Sequence, residues 1–190
     1  MIIRALAFTA ALALAAPAAA ASKPAAHKPA AAAPNPAAPA PAPALAPGGP
    51  FDAREPASMI ALLASVDAPA QVASHDAENV TLKATSPAGS FAVQFGGCNP
   101  QGHLCRAVQF DAVADARTAT IAEINSFNQS SLTCRLYQDK AGKPHVLYSS
   151  LVFASDSHQD MLTHIGAWRA CLADFGGFLK DPPGYLAAAP

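Results

Sequence analysis

Cys98 and Cys105 bracket NPQGHL, a run rich in turn formers with His103 inside it. Thiols at this spacing could close a disulfide, remain reactive, or join the imidazole in a metal site. The separation is too long for the C-x-x-C arrangement of redox motifs. A structural zinc centre takes four ligands, and Cys98, His103 and Cys105 supply three with no obvious fourth. We therefore expect a Cys98–Cys105 disulfide that clips the end of one strand to the start of the next, with free or metal-bound thiols as the alternatives. Cys134 and Cys171 form the second pair. Cys171 lies three residues after Trp168 and four before Phe175, on the border of an apolar helix face. A helix-to-sheet bridge and two buried free thiols, acting as small apolar residues, fit this placement equally.

Two short stretches mix hydroxyl, imidazole and carboxylate: SHDAE (74–78) and SDSHQD (155–160). Catalytic triads assemble from residues far apart in the chain, and local clusters of these types are ordinarily loops or helix caps. No G-x-S-x-G elbow, H-E-x-x-H pair or phosphate-binding loop occurs. No catalytic residue, metal ligand or cofactor is expected, and His145 reads as a residue on the solvent face of its strand. Asn125 and Asn128 are helix neighbours at i, i+3 that could cap the helix end or bond to the turn that follows.

Whatever these residues do, the elements that hold them occupy only part of the chain. Arg4, an uncharged Ala/Leu/Phe run over residues 5–16, then Pro17 and AAAA have the order of a secretory signal peptide, assigned to 1–21. The apolar run is too short to span a bilayer, which takes about twenty residues. No cysteine near the cleavage region offers a lipid anchor. Residues 22–50 are almost entirely alanine and proline, which can build neither a ladder nor a core, so they are read as a disordered linker. Residues 51–180 form the expected domain, and 181–190 a flexible tail. Three of the twelve Lys/Arg precede residue 51 while all thirteen Asp/Glu follow it, so a net charge of −1 conceals −4 after that point. Such a balance, without a basic cluster, lacks the footprint of a nucleic-acid binder. The expected location is the periplasm or outside the cell, with no stable membrane insertion once the signal is removed.

Within the domain, Met59, Ile60, Leu63 and Val66 make one helical stripe, opened by Pro56 with Asp52 and Glu55 as capping oxygens. Alternation in NVTLKATSPAGSFAVQF predicts a hairpin about SPAG, and CRAVQFDAV a third strand. Ile121, Ile124 and Phe127 return to helical spacing. A second hairpin turns at KAGK. A final helix, capped by Ser157 and Asp160, carries Met161, Ile165, Trp168, Leu172, Phe175 and Leu179, and the Gly176–Gly177 pair is expected to end it. The stripe suits a helix lying on a sheet. The order α-β-β-β-α-β-β-α predicts an α+β domain with an antiparallel sheet, and argues against a doubly wound nucleotide-binding fold.

FAVQFGGC, CRAVQFDA, EINSFNQSSLTCRLYQDKAGKPHVLYSSLVF and LTHIGAWRACLADFGGFL together resemble the YbjN family of bacterial proteins, often labelled sensory transduction regulators. The resemblance spans about Phe51 to Phe178. Phe127 stands where members commonly carry tryptophan, which keeps an aromatic in the core. The family resembles type III secretion chaperones in fold, and many members are cytoplasmic, whereas this chain carries an export signal. The resemblance implies a non-enzymatic binding or regulatory module, in the manner of a chaperone, acting on a protein partner and able to form a homodimer; it transfers no catalytic residue. The alternatives are a structural envelope protein tethered by its Ala/Pro arm, or an uncharacterised hydrolase.

Overall fold

A computed structural model describes residues 50–115 and 119–188, all within the second of the chain's two units, Ala40–Pro190. The signal-peptide and linker assignments lie outside the described residues, Pro50 excepted. The elements are α1 (Pro56–Ala64), β1 (Ala70–His75), β2 (Asn79–Ser86), β3 (Gly89–Gly96), β4 (Ala107–Val113), α2 (Ile121–Ser130), β5 (Arg135–Gln138), β6 (Pro144–Leu151), α3 (His158–Lys180) and α4 (Pro182–Ala188). The strands form a six-stranded antiparallel sheet in the order β1-β2-β3-β4-β6-β5. The α+β class and the expected succession of elements are present, with β1 and α4 added to them.

The alternation read from the sequence sets the faces of the sheet. Val80, Leu82 and Ala84 of β2, Phe91, Val93 and Phe95 of β3, and Val108, Phe110 and Ala112 of β4 are buried on one side. Against them α3 lays Met161, Ile165, Trp168, Cys171, Phe175 and Phe178. Burying a large apolar side chain contributes about 1.5–3 kcal/mol, so this one layer supplies most of the drive to fold. The tie between α3 and β6 is reinforced by a 2.5 Å hydrogen bond joining the Tyr148 hydroxyl to His164 Nδ1.

Four local expectations are corrected. The Gly176–Gly177 pair does not end α3, which continues to Lys180 because Phe175 and Phe178 on either side are buried. Its inward face carries Cys171 and Phe178 in place of Leu172 and Leu179, which are half-buried at its margin. In α1 the buried set is Pro56, Met59, Leu62 and Leu63, and Glu55 occupies the N-cap position without capping through its side chain. Ile121 opens α2 but is 56% exposed, while Ile124 and Phe127 turn inward.

Helices α2 and α3 both begin with reciprocal capping boxes, Thr120 with Glu123 and Ser157 with Asp160. The Ser157 hydroxyl and its backbone N–H both donate to the Asp160 carboxylate and hold its pKa below the ordinary 3.8. Asp52 is lowered too, first by its hydrogen bonds from the Arg54 side chain. A carboxylate with a depressed folded-state pKa contributes stability above its unfolded value and loses it as pH falls through the folded one. The urea midpoint should therefore drop in the acid window beginning near 3.8. Asp160→Asn should lower the midpoint at neutral pH and flatten that acid drop. An equally steep drop in the variant would remove Asp160 from the effect.

Candidate functional site

None of the described helices packs on the second face of the sheet, and the strand register lays out what it carries. One row crosses Lys83, Ala92, Asp111, Leu147 and Arg135, and the next crosses Thr81, Gln94, Gln109 and Ser149. These residues are exposed or half-buried, and the face is polar over its centre.

Toward β5 the register gathers Asp111, Tyr137 and His145 from three strands. The Tyr137 hydroxyl donates to Asp111 Oδ2 at 2.8 Å, and His145 Nδ1 lies 2.8 Å from Asp111 Oδ1. Because a carboxylate only accepts, the imidazole proton belongs on Nδ1. The Tyr137 and His145 rings stack with centroids 4.5 Å apart, and Nε2 lies 3.8 Å from Asp139 Oδ2. Burial, followed by the hydrogen bond to Asp111, pushes the Tyr137 phenol far above its usual range and keeps it protonated. Asp111 thus orients His145 as a general base would be oriented. The hydroxyl at hand, however, is already committed to Asp111, and among the described residues no serine or cysteine bonds to the imidazole. The arrangement suits hydrogen bonding to a ligand better than nucleophilic catalysis. His145 does sit on the solvent face as its strand position implies. Its partners escaped sequence reading because Asp111 and Tyr137 are brought to it only by strand order.

At one end of the sheet, bonded to the segment that opens α1, lies the cysteine loop. The Cys98 and Cys105 sulfurs are 2.11 Å apart, and those of Cys134 and Cys171 are 2.06 Å apart, both disulfide distances. Within the loop, Asn99 Oδ1 accepts from the backbone of Gln101 and His103. Gly102 has φ +80°, and a Cβ there would come within 3.0 Å of His75 and Val80, so glycine is required. Glu55 reaches across from the start of α1, pairing with His103 Nδ1 at 2.5 Å and accepting the Leu104 N–H at 3.0 Å. Leu104 is held at φ +54°, a conformation unusual for leucine, and is 49% exposed. At the same end of the ladder, where Val152 N–H donates to Arg106 O, Leu151 and Phe153 are 61% and 55% exposed. Leu151 and Phe153 thus make an exposed apolar corner at this end of the ladder. The left-handed leucine and the reach of Glu55 left no mark in the sequence.

The other sequence candidates have local roles. Asp76 Oδ1 accepts from the backbone of Glu78 and Asn79, so SHDAE is the β1–β2 turn. In SDSHQD, Asp156 accepts from Phe153 N–H while Ser157 and Asp160 cap α3. Asn128 is the exception, because its side-chain amide both donates to Leu136 O and accepts from Leu136 N–H, as a neighbouring strand would. It thereby satisfies part of the outer edge of β5, where an open strand invites association. At the opposite edge, β1 is interrupted by a register shift between Val72 and Ser74, another device that discourages edge pairing. Among the described residues, no three His, Cys, Asp or Glu side chains are grouped to hold a metal ion, and no helix is long and apolar enough to cross a membrane.

No curated protein and no solved structure matches the chain. A family model does match, over residues 56–176, from the start of α1 to near the end of α3; its description is "YbjN: Putative bacterial sensory transduction regulator". With that span covering more than half of the sequence and nearly all of the sheet and its helices, the chain belongs to the YbjN family.

Proposed function

We propose that this protein is an exported, non-enzymatic regulatory module that docks a protein partner, in a chaperone-like manner, on the uncovered face of its sheet. The observation that carries the reading is the one-sided packing. The described helices cover one face, and the other presents hydrogen-bonding side chains that run along β6 to the exposed Leu151, with the exposed Phe153 two residues beyond it. A transient protein interface is on the whole about as polar as the rest of a protein's surface, so a largely polar face with an apolar edge suits one. In this reading the signal peptide is removed, the Ala/Pro arm of residues 22–50 is a tether, and both cysteine pairs are bridged in an oxidising compartment.

The test is a photo-crosslinking residue at Gln109, introduced into the full chain in its bacterial host. A discrete adduct should form, weaken at least tenfold in Leu151→Asp/Phe153→Asp, and survive in His75→Ala and His158→Ala. An adduct indifferent to the aspartates, or abolished by a histidine variant that still folds, would overturn the reading. The intact mass of the purified protein should also lack residues 1–21 and four hydrogens, one pair for each bridge. A full-length, fully reduced chain would refute export.

A further inference from the structure

On the helical side of the sheet, α4 covers an aromatic surface that belongs to the other helices. The Tyr185 ring stacks on Phe127 with centroids 5.7 Å apart and meets Phe178 edge-on at 5.9 Å. Beneath it Phe127 and Phe178 are 1% and 0% exposed, yet no residue of α4 is itself buried. The backbone N–H groups of Gly184 and Tyr185 bond only back to Asp181, and α4 reaches the core through Tyr185 and Leu186. Seven residues containing two prolines and a glycine make a poor helix. Isolated helices of this length do not persist in water. The helix therefore exists because it is docked. It also lies beyond residue 176, where the family match ends.

Beside α4 runs an open groove of about 520 Å³ between α3 and the α2–β5 connection. Leu132, Cys134, Ala167, Ala170 and Asp174 line it, and Tyr185 and Ala188 form its wall on the α4 side. Its lining is small and apolar apart from a few hydroxyls and Asp174, whose negative charge, after burial, raises the pKa of the Tyr185 phenol. Leu132 at its rim is 94% exposed. An aromatic ring, an adjacent aliphatic side chain and an uncharged backbone fit this surface, and that is the chemistry α4 itself brings to it.

We infer that α4 is a displaceable C-terminal strap on the Phe127–Phe178 seat beside this groove, and that the seat, continuous with the groove once the strap lifts, receives a short uncharged partner segment in which tyrosine or phenylalanine followed by leucine replaces Tyr185 and Leu186. This site is separate from the uncovered sheet face and goes beyond that reading. A tethered segment competes at an effective concentration in the millimolar range, so the closed strap excludes weak ligands until it is loosened or outcompeted.

The test uses the synthetic peptide DPPGYLAAAP, identical to residues 181–190, with a fluorescent label and the full-length protein. Tyr185→Ala should bind the peptide at least tenfold more tightly than the wild-type chain does. A peptide carrying alanine at its tyrosine should bind neither protein. Equal binding to both proteins, or to both peptides, would overturn the inference. Should Tyr185→Ala fail to fold, hydrogen exchange on the wild type decides: amides of α4 should exchange at least a hundredfold faster than those of residues 165–175, and equal protection would overturn it. A dimer that depends on Tyr185 would assign the groove to a second copy's strap and overturn the partner reading. Because the ligand is the protein's own sequence, none of these outcomes depends on the partner of the sheet face.

Discussion

Trp168→Ala will destabilise the domain by about 3–5 kcal/mol, the range for removing a large aromatic from a packed core. The side chain is 1% exposed and lies against Phe91 and Phe110, with ring centroids 5.5 and 5.6 Å away. It joins α3 to β3 and β4 together, so the surrounding strands cannot collapse into the space it leaves. Small domains are stable by only about 5–15 kcal/mol, and the alanine variant will be partly unfolded under mild conditions. Trp168→Phe should recover about half of the loss. The Trp168 indole N–H is buried with no hydrogen-bond partner among the described residues, and deleting such a donor returns about 1–3 kcal/mol against the lost volume. Trp168 is the only tryptophan in the chain, so the comparison belongs to urea titrations followed by circular dichroism. A loss below about 1 kcal/mol for alanine would place this residue outside the core.

Replacing Cys134 and Cys171 together by alanine will cost about 4 kcal/mol if the pair is bridged, as proposed. The cysteines are 37 positions apart, and the chain-entropy estimate for a loop of that length gives about this value. The same reasoning for Cys98 and Cys105, seven positions apart, gives about 2.5 kcal/mol. The ordering matters more than either figure. The longer loop holds the start of β5 to the middle of α3, and its loss frees the α2–β5 corner with the groove beside it. The shorter one holds a loop that Glu55 and Asn99 already restrain. Both double variants should be compared with the wild type by urea denaturation, with and without reductant. Reductant should bring the wild type toward the variant lacking all four cysteines. A wild-type midpoint indifferent to reductant would show that the purified thiols are free.

The sequence by itself determined the parts of this protein that depend on near neighbours. The alternation of β2 and β3, the turn between them and the Ser157–Asp160 cap are legible because each is closed by residues a few positions apart. β1 was not legible. Its side chains are half-buried or exposed, so no apolar period marks it, and pairing with β2 is what makes it a strand. The inward face of α3 differs by one position from its apolar spacing, at Cys171 and Phe178, since a helix against a twisted sheet rotates to fit its neighbours. The continuation of α3 through two glycines likewise reflects tertiary packing overriding local propensity. The candidate sites lay furthest from the sequence's reach. Asp111, Tyr137 and His145 are separated by 26 and 34 positions from first to each later residue, and Glu55 stands 48 positions before His103. Hydrogen bonds act over a few ångströms, and only the strand order and the closing of the cysteine loop bring these groups that near. The aromatic seat of α4 follows the same rule: Phe127, Phe178 and Tyr185 become one surface only after α2 and α3 have packed.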